Sequence, residues 1–229
     1  MKNQIYQFLV KYHGNWDAIY DAINKREKVN TDYSFRTDDN YIFILNENYH
    51  NKFKQILLPP FFYFYKGDIQ FINEYVIGVE GKISSSKLDK IIQANSHNVI
   101  CFNNNDLTKD NYDLLIAKGA KFIVICECGI DSFKYEYNQN ILLISEYDNV
   151  DDYQPCSEQT VERLLYAISN EIIIGCFELD SWTKLITNLT EKNPKTIKVS
   201  NQELKRLSKA VEDFDIYSNY IHVMTYSLN

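Results

Sequence analysis

Residues 59–87 read PPFFYFYKGDIQFINEYVIGVEGKISSSK, and this stretch decides the fold. An aromatic strand leads into the turn Lys66-Gly67-Asp68, and the apolar run Tyr75–Val79 ends in Glu80-Gly81-Lys82. A serine-rich segment then begins a helix. A strand followed by a tight turn and a helix N-terminus is where α/β proteins commonly hold a phosphate. The stretch therefore predicts an α/β fold with a ligand-binding turn at 80–82.

Outward from this stretch, apolar strands alternate with amphipathic helices. Continuous apolar runs such as Phe122–Ile125 and Ile172–Ile174 are typical of parallel strands covered on both faces. The repeated alternation predicts a Rossmann-like, doubly wound and mostly parallel sheet. The predicted strands are 41–45, 61–65, 75–79, 98–102, 121–126, 141–145, 171–176, 195–199 and 220–226, and the predicted helices are 50–56, 84–95, 108–118, 157–169, 182–192 and 201–214.

A small helical element precedes the sheet. Apolar residues within 2–28 recur at helical spacing, Gly14 breaks the run, and Asn15 caps a second short helix. We therefore divide the chain into an N-terminal helical element with its linker, residues 1–40, and a Rossmann-like domain, residues 41–229.

Composition limits the classes of function. The formal net charge of −7 works against polyanionic partners, so only a local basic patch could bind nucleic acid. The five cysteines are an odd number and mostly adjoin apolar strands, which predicts buried free thiols in a reducing cytosol. Neither the cysteines nor the scattered histidines have metal-ligand spacing. No apolar run is long enough to span a membrane, so we expect a cytoplasmic protein.

Five segments, in order along the chain, carry a resemblance to a known family: Phe64–Asp68, Ala120–Asp131, Leu143–Tyr147, Arg163–Ser169 and Leu185–Thr187. They are similar to the aromatic entry turn and to the GKTIAVLGxGLD, LxSEY, RNRIIAGLS and SGSLIT segments of DNA-processing protein A (the DprA/Smf family). The resemblance covers roughly residues 40–200. It implies a Rossmann-like fold, binding of single-stranded DNA, loading of a RecA-type recombinase during natural transformation, and homodimerisation. It implies no metal, no nucleotide cofactor and no catalysis.

The ligand loops differ from the family. Glu80-Gly81-Lys82 stands where the family has Gly-Ser-Arg, and Phe102 and Asp106 replace the two glycines of SGLAxGID. Val161 replaces one arginine of FPxRNR, whereas Arg163 remains. A phenylalanine prevents the backbone from approaching a phosphate, and Glu80 places negative charge where an anion would bind. We predict that Phe102 fills the space of the phosphate or turns into the core.

Four residues are the predicted nucleic-acid contacts: Gly81, Lys82, Ser85 and Arg163. Lys82 replaces the family's phosphate-binding arginine as a point charge, or else it pairs with Glu80. Ser85 lies in a serine run that either contacts phosphate or caps a helix. Arg163 is the remaining basic position of its motif. No catalytic residue and no metal ligand is predicted.

Three functions are consistent with this sequence. The first is a DprA-like protein that binds single-stranded DNA weakly. The second is a scaffold whose ligand loops have degenerated and which acts through protein–protein contacts. The third is an enzyme that binds a nucleotide or a phosphoribosyl group on a related Rossmann fold, although the Gly-Gly-Gly-Thr loop of such enzymes is not found here.

Overall fold

The computed structural model describes residues 1–29, 40–148, 158–175, 195–200 and 221–226. The helices are α1 (Lys2–Lys11), α2 (Trp16–Asn24), α3 (Asn51–Lys54), α4 (Ser85–Ala94), α5 (Lys109–Ala117) and α6 (Glu158–Ile168). The strands are β1 (Asn40–Phe43), β2 (Phe62–Lys66), β3 (Val76–Glu80), β4 (Val99–Asn103), β5 (Phe122–Ile125), β6 (Ile141–Ser145), β7 (Glu171–Ile174), β8 (Lys195–Ser200) and β9 (Ile221–Tyr226). Two 3₁₀ turns lie at Ile69–Asn73 and Ile130–Ser132.

The strands form one sheet in the order β1-β2-β6-β5-β4-β3-β7-β8-β9. From β6 to β9 every neighbouring pair is parallel, and β2 is antiparallel to both β1 and β6. The chain builds the sheet in one direction from β3 to β6 and in the other from β7 to β9. The strand order therefore reverses between β3 and β7, and such a switch point is where open α/β sheets bind ligands.

The parallel strands are buried on both faces. In β4, Ile100 and Phe102 belong to the apolar layer that includes α4 and α5, whereas Val99 and Cys101 belong to the layer that includes α6. Successive side chains of a strand point to opposite faces, so a strand covered by helices on both sides needs apolar residues at every position. The predicted α/β, doubly wound and mostly parallel sheet is confirmed.

The N-terminal helices pack against the edge of the sheet that carries β2. The indole of Trp16 stacks on Phe61 with ring centroids 5.1 Å apart, and its Nε1 donates to the Pro59 carbonyl at 2.8 Å. The hydroxyl of Tyr6 donates to Asp148, just beyond β6. Two short helices within residues 2–28 are confirmed, while the domain boundary near residue 40 stays a prediction.

The strands and the helices α3 to α6 lie where the sequence predicts them, with ends that differ by no more than two residues. The helices predicted at 182–192 and 201–214 lie outside the described residues. No helix of the described ranges is long and apolar enough to cross a membrane.

Candidate nucleic-acid interface

The turn after β3 carries two of the predicted site residues. Gly81 has φ of +73°, a left-handed conformation that a residue with a Cβ adopts only with strain. It turns the chain from β3 toward α4 and leaves Lys82 exposed. Within the described ranges the ammonium of Lys82 makes no ion pair, so the pairing with Glu80 that the sequence left open is not observed. The positive charge therefore faces solvent at the carboxyl end of a central strand.

The end of β7 packs tightly against this turn. Gly175 N donates to the Glu80 carbonyl at 2.8 Å. A Cβ added to Gly175 would lie 2.6 Å from the Lys82 carbonyl oxygen and 2.9 Å from that of Gly81. The backbone of the turn therefore packs directly against the end of β7 at the switch point. Only glycine fits at position 175, because any Cβ would collide with the turn.

The start of α4 uses its serines mainly for structure. Ser84 is the N-cap and accepts from the backbone N–H of Lys87, as the capping interpretation predicts. Ser85 Oγ donates to Asn111 Oδ1 at 2.9 Å, and Asn111 Nδ2 donates to the Ile83 carbonyl at 2.9 Å. These bonds tie α4 to α5. The Ser85 hydroxyl is half-buried and its donated hydrogen is already used, although its lone pairs remain at the helix N-terminus.

The side chain of Lys87, in the first turn of α4, is held by backbone carbonyls. Its Nζ donates to the Ile174 carbonyl at 3.0 Å and reaches the Gly175 carbonyl at 3.4 Å. Its charge is therefore directed to the last carbonyls of β7. Lys82 is the basic side chain that this turn presents to solvent.

Phe102 has turned into the core. Its side chain is fully buried among the apolar residues that include Ile77, Ile100 and Val124. The inward alternative of the prediction is confirmed. A buried phenylalanine here contributes about 1.5–3 kcal/mol to stability. At this position, where the DprA family has glycine, Phe102 is therefore a core residue.

Arg163 is not brought to the turn at 80–82. Its side chain is buried; the guanidinium donates to both carboxylate oxygens of Glu146 and to the Leu58 carbonyl. Glu146 follows β6, three strands from β3, so the two basic positions are about 14 Å apart across the sheet. This geometry works against the predicted contact of Arg163 with nucleic acid, because the guanidinium donors are occupied by an internal ion pair.

The side of the turn that faces α6 is acidic. Glu80 is buried at the end of β3, and Tyr166 of α6 lies close to it. Burial first, and then the carboxylates of Glu80 and Glu162, raise the pKa of the Tyr166 hydroxyl well above its ordinary value. Carboxylates on this side disfavour a phosphate, which leaves the α4 side as the favourable approach to Lys82.

Sequence reasoning missed the polar end of β4. Asn104 N donates to the Ile125 carbonyl at 3.0 Å, and its Nδ2 donates to the Ser132 carbonyl at 3.2 Å. Its Oδ1 is buried and accepts no hydrogen bond within the described part of the chain. Leaving such an acceptor unpaired costs about 1–3 kcal/mol. The sequence offered only the run Asn103–Asn105 as a signal.

Metal binding and thiol reactivity in the described ranges depend on how the His, Cys, Asp and Glu side chains are placed. They contain no group of three or more His, Cys, Asp or Glu side chains placed to hold a metal ion. Cys101 and Cys126 are buried free thiols, and burial raises the pKa of both. They are core residues.

The fold and the carboxyl edge of the sheet define a Rossmann-like α/β protein in which an exposed lysine, Lys82, follows the central strand β3. The sequence matches no protein-family profile and no curated protein. The structure is similar to that of DNA processing protein A (DprA) from Streptococcus pneumoniae, with a TM-score of 0.60 and 16% identity over 97% of this chain and 89% of that one. It is also similar to DprA from Helicobacter pylori, a single-stranded DNA-binding protein, with a TM-score of 0.53 and 19% identity over 79% of this chain and 97% of that one. The chain therefore has a DprA-like fold.

Proposed function

We propose that this protein binds single-stranded DNA weakly, without catalysis, through the turn Gly81-Lys82 and the start of α4. The observation that carries the proposal is the exposed Lys82, placed by a left-handed glycine at the carboxyl end of β3. A helix N-terminus follows directly, and its backbone N–H groups favour a phosphate. The DprA-like fold supports DNA as the anionic partner.

The same likeness supports a proposal for the biological role. We propose that the protein acts in DNA uptake and recombination during natural transformation, with a RecA-type recombinase as its partner and as a homodimer. A single exposed lysine supplies one phosphate contact, so the affinity is low at physiological salt.

A second candidate is a scaffold that acts through protein–protein contacts. Two observations favour it: Phe102 fills the core at a position where the family has glycine, and Arg163 is held by Glu146. On this view the carboxyl edge of the sheet keeps its fold but does not bind DNA.

One titration separates the two candidates. Fluorescence anisotropy of a labelled single-stranded oligonucleotide is measured with the wild type and with Lys82→Ala between about 50 and 200 mM salt. Lys82→Ala is expected to remove most of the binding and to reduce the salt slope by about 0.7. The melting temperature should change little because the side chain is exposed.

The matched control is Lys54→Ala. Lys54 is an exposed lysine of α3, and the neighbouring Lys52 donates to the Ile168 carbonyl, which lies near the opposite end of the sheet. The control removes the same charge and is expected to keep the binding. Binding that survives Lys82→Ala, or that is lost equally in both variants, contradicts the assignment of the site. The absence of binding at low salt favours the scaffold.

A further inference from the structure

Two acceptor atoms at the carboxyl edge of the sheet have no partner within the described residues. They are Oδ1 of Asn104, after β4, and Oε1 of Glu127, after β5. The amide of Asn104 is held in place because its Nδ2 donates to Ser132, so the oxygen cannot rotate toward solvent. An acceptor fixed without a donor is the complement of a ligand that donates hydrogen bonds.

These acceptors lie beside the turn that carries Lys82. In the parallel register Val79 is paired with Phe102, so the chain positions of Gly81 and Asn104 adjoin. Likewise Asn103 is paired with Ile125, which brings the start of the loop with Glu127 next to Asn104. Neighbouring strands are about 4.8 Å apart. One nucleotide can therefore contact a lysine on one strand end and the acceptors on the next two.

The donors of single-stranded DNA are confined to its bases. Phosphate and sugar oxygens accept hydrogen bonds, whereas the amino groups of adenine, cytosine and guanine donate two hydrogens from one nitrogen. Thymine presents an acceptor oxygen in the place where cytosine has its amino group, and its ring N3–H donates a single hydrogen. We infer that Asn104 and Glu127 accept the exocyclic amino group of a base whose phosphate lies against Lys82, which makes this edge selective for amino-bearing bases. The inference rests on the proposed binding of DNA at this edge.

The test compares oligo(dC) with oligo(dU) of equal length. The two bases have the same ring size. Cytosine carries an amino group at C4 and an acceptor at N3, whereas uracil carries a carbonyl oxygen at C4 and a single N3–H donor, so only cytosine offers two hydrogens from one nitrogen. By fluorescence anisotropy at pH 8 and low salt, the wild type is expected to bind oligo(dC) roughly tenfold more tightly, as one well-placed pair of base contacts gives. This comparison needs no variant and does not depend on how a substitution folds.

Asn104→Leu then removes the acceptor with little change of volume. It is expected to equalise the two affinities while leaving the binding of oligo(dU). Asn105→Leu is the control, because Asn105 is the exposed neighbour in the same loop, and it should keep the preference. Circular dichroism and the melting temperature establish that each variant is folded.

The outcomes are distinct. Equal binding of oligo(dC) and oligo(dU) by the wild type overturns this inference alone. A preference that persists in folded Asn104→Leu overturns it as well. If neither oligomer binds, the proposed function itself is overturned, and this inference with it.

Discussion

Replacing Arg163 by methionine tests whether the buried ion pair between Arg163 and Glu146 serves the stability of the protein. The guanidinium is buried, bonds both carboxylate oxygens of Glu146, and donates to the Leu58 carbonyl. Methionine has a similar length and no charge, so Arg163→Met leaves the carboxylate of Glu146 buried without a counter-charge. Removing one partner of a buried pair costs about 3–5 kcal/mol. For a chain of this size the melting temperature should fall by roughly 6–20 °C.

The assay is thermal and urea unfolding at pH 8, where Glu146 is ionised. The double variant Glu146→Leu/Arg163→Met replaces both charges by apolar groups, and it is expected to recover most of the lost stability because no unpaired charge remains. Lys54→Met serves as the surface control, since it removes one exposed positive charge and should change the free energy of unfolding by less than about 0.5 kcal/mol.

DNA binding supplies the decisive contrast. If Arg163 acts only inside the protein, the folded double variant binds oligonucleotides as the wild type does. A single variant as stable as the wild type that has lost DNA binding refutes this reasoning, because the guanidinium would then contact the ligand and Glu146 would be its positioning partner.

Three further substitutions follow from the same contacts. Gly175→Ala places a Cβ 2.6 Å from the Lys82 carbonyl oxygen, so it should lower the free energy of unfolding in urea by about 1–3 kcal/mol; wild-type stability would show that the turn moves freely. Phe102→Ala should cost about 3–5 kcal/mol without raising affinity for oligonucleotides, and a gain in binding would mean that the ring blocks a ligand. Burial raises the pKa of Glu146 to about 7, from the 4.5 of a free glutamate. Stability should therefore be lost as the pH rises from about 4.5 through 7, by up to about 3 kcal/mol, and Glu146→Gln should flatten that dependence in unfolding measured across this range.

Local pattern was sufficient for most of the fold. Runs such as Phe122–Ile125 predict parallel strands because every side chain must be buried on one face or the other. The antiparallel pairing of β2 with β6 has no comparable signal. It joins Phe64 to Ser145 across a long stretch of sequence, so it depends on which edge of the sheet the chain reaches. The connection from β5 to β6 contains a 3₁₀ turn and an edge-to-face pair of aromatic rings, Phe133 and Tyr135, in place of a full helix.

The site was predictable only where one segment builds it. Gly81 and Lys82 belong to a single strand-turn-helix unit, so their placement follows from neighbours in the sequence. The internal ion pair of Arg163 could not be predicted, because its partner Glu146 lies 17 residues away and the burial of both depends on how α6 packs. The close contact of Gly175 with the turn at 81–82, and the position of Asn104 beside that turn, depend on which strands are neighbours and in what register. Neither can be read from the local sequence.

The two kinds of contact at the carboxyl edge should respond differently to salt. The contact of Lys82 with a phosphate releases counterions, so total affinity falls as salt rises, by a slope of about 0.7 for one contact on a single strand. Hydrogen bonds from a base to Asn104 and Glu127 release none. The ratio of oligo(dC) to oligo(dU) affinity is therefore expected to stay constant while both affinities decrease. A ratio that falls with salt would show that the preference arises from the path of the backbone over Lys82, because a contact to a neutral amino group has no counterion to lose.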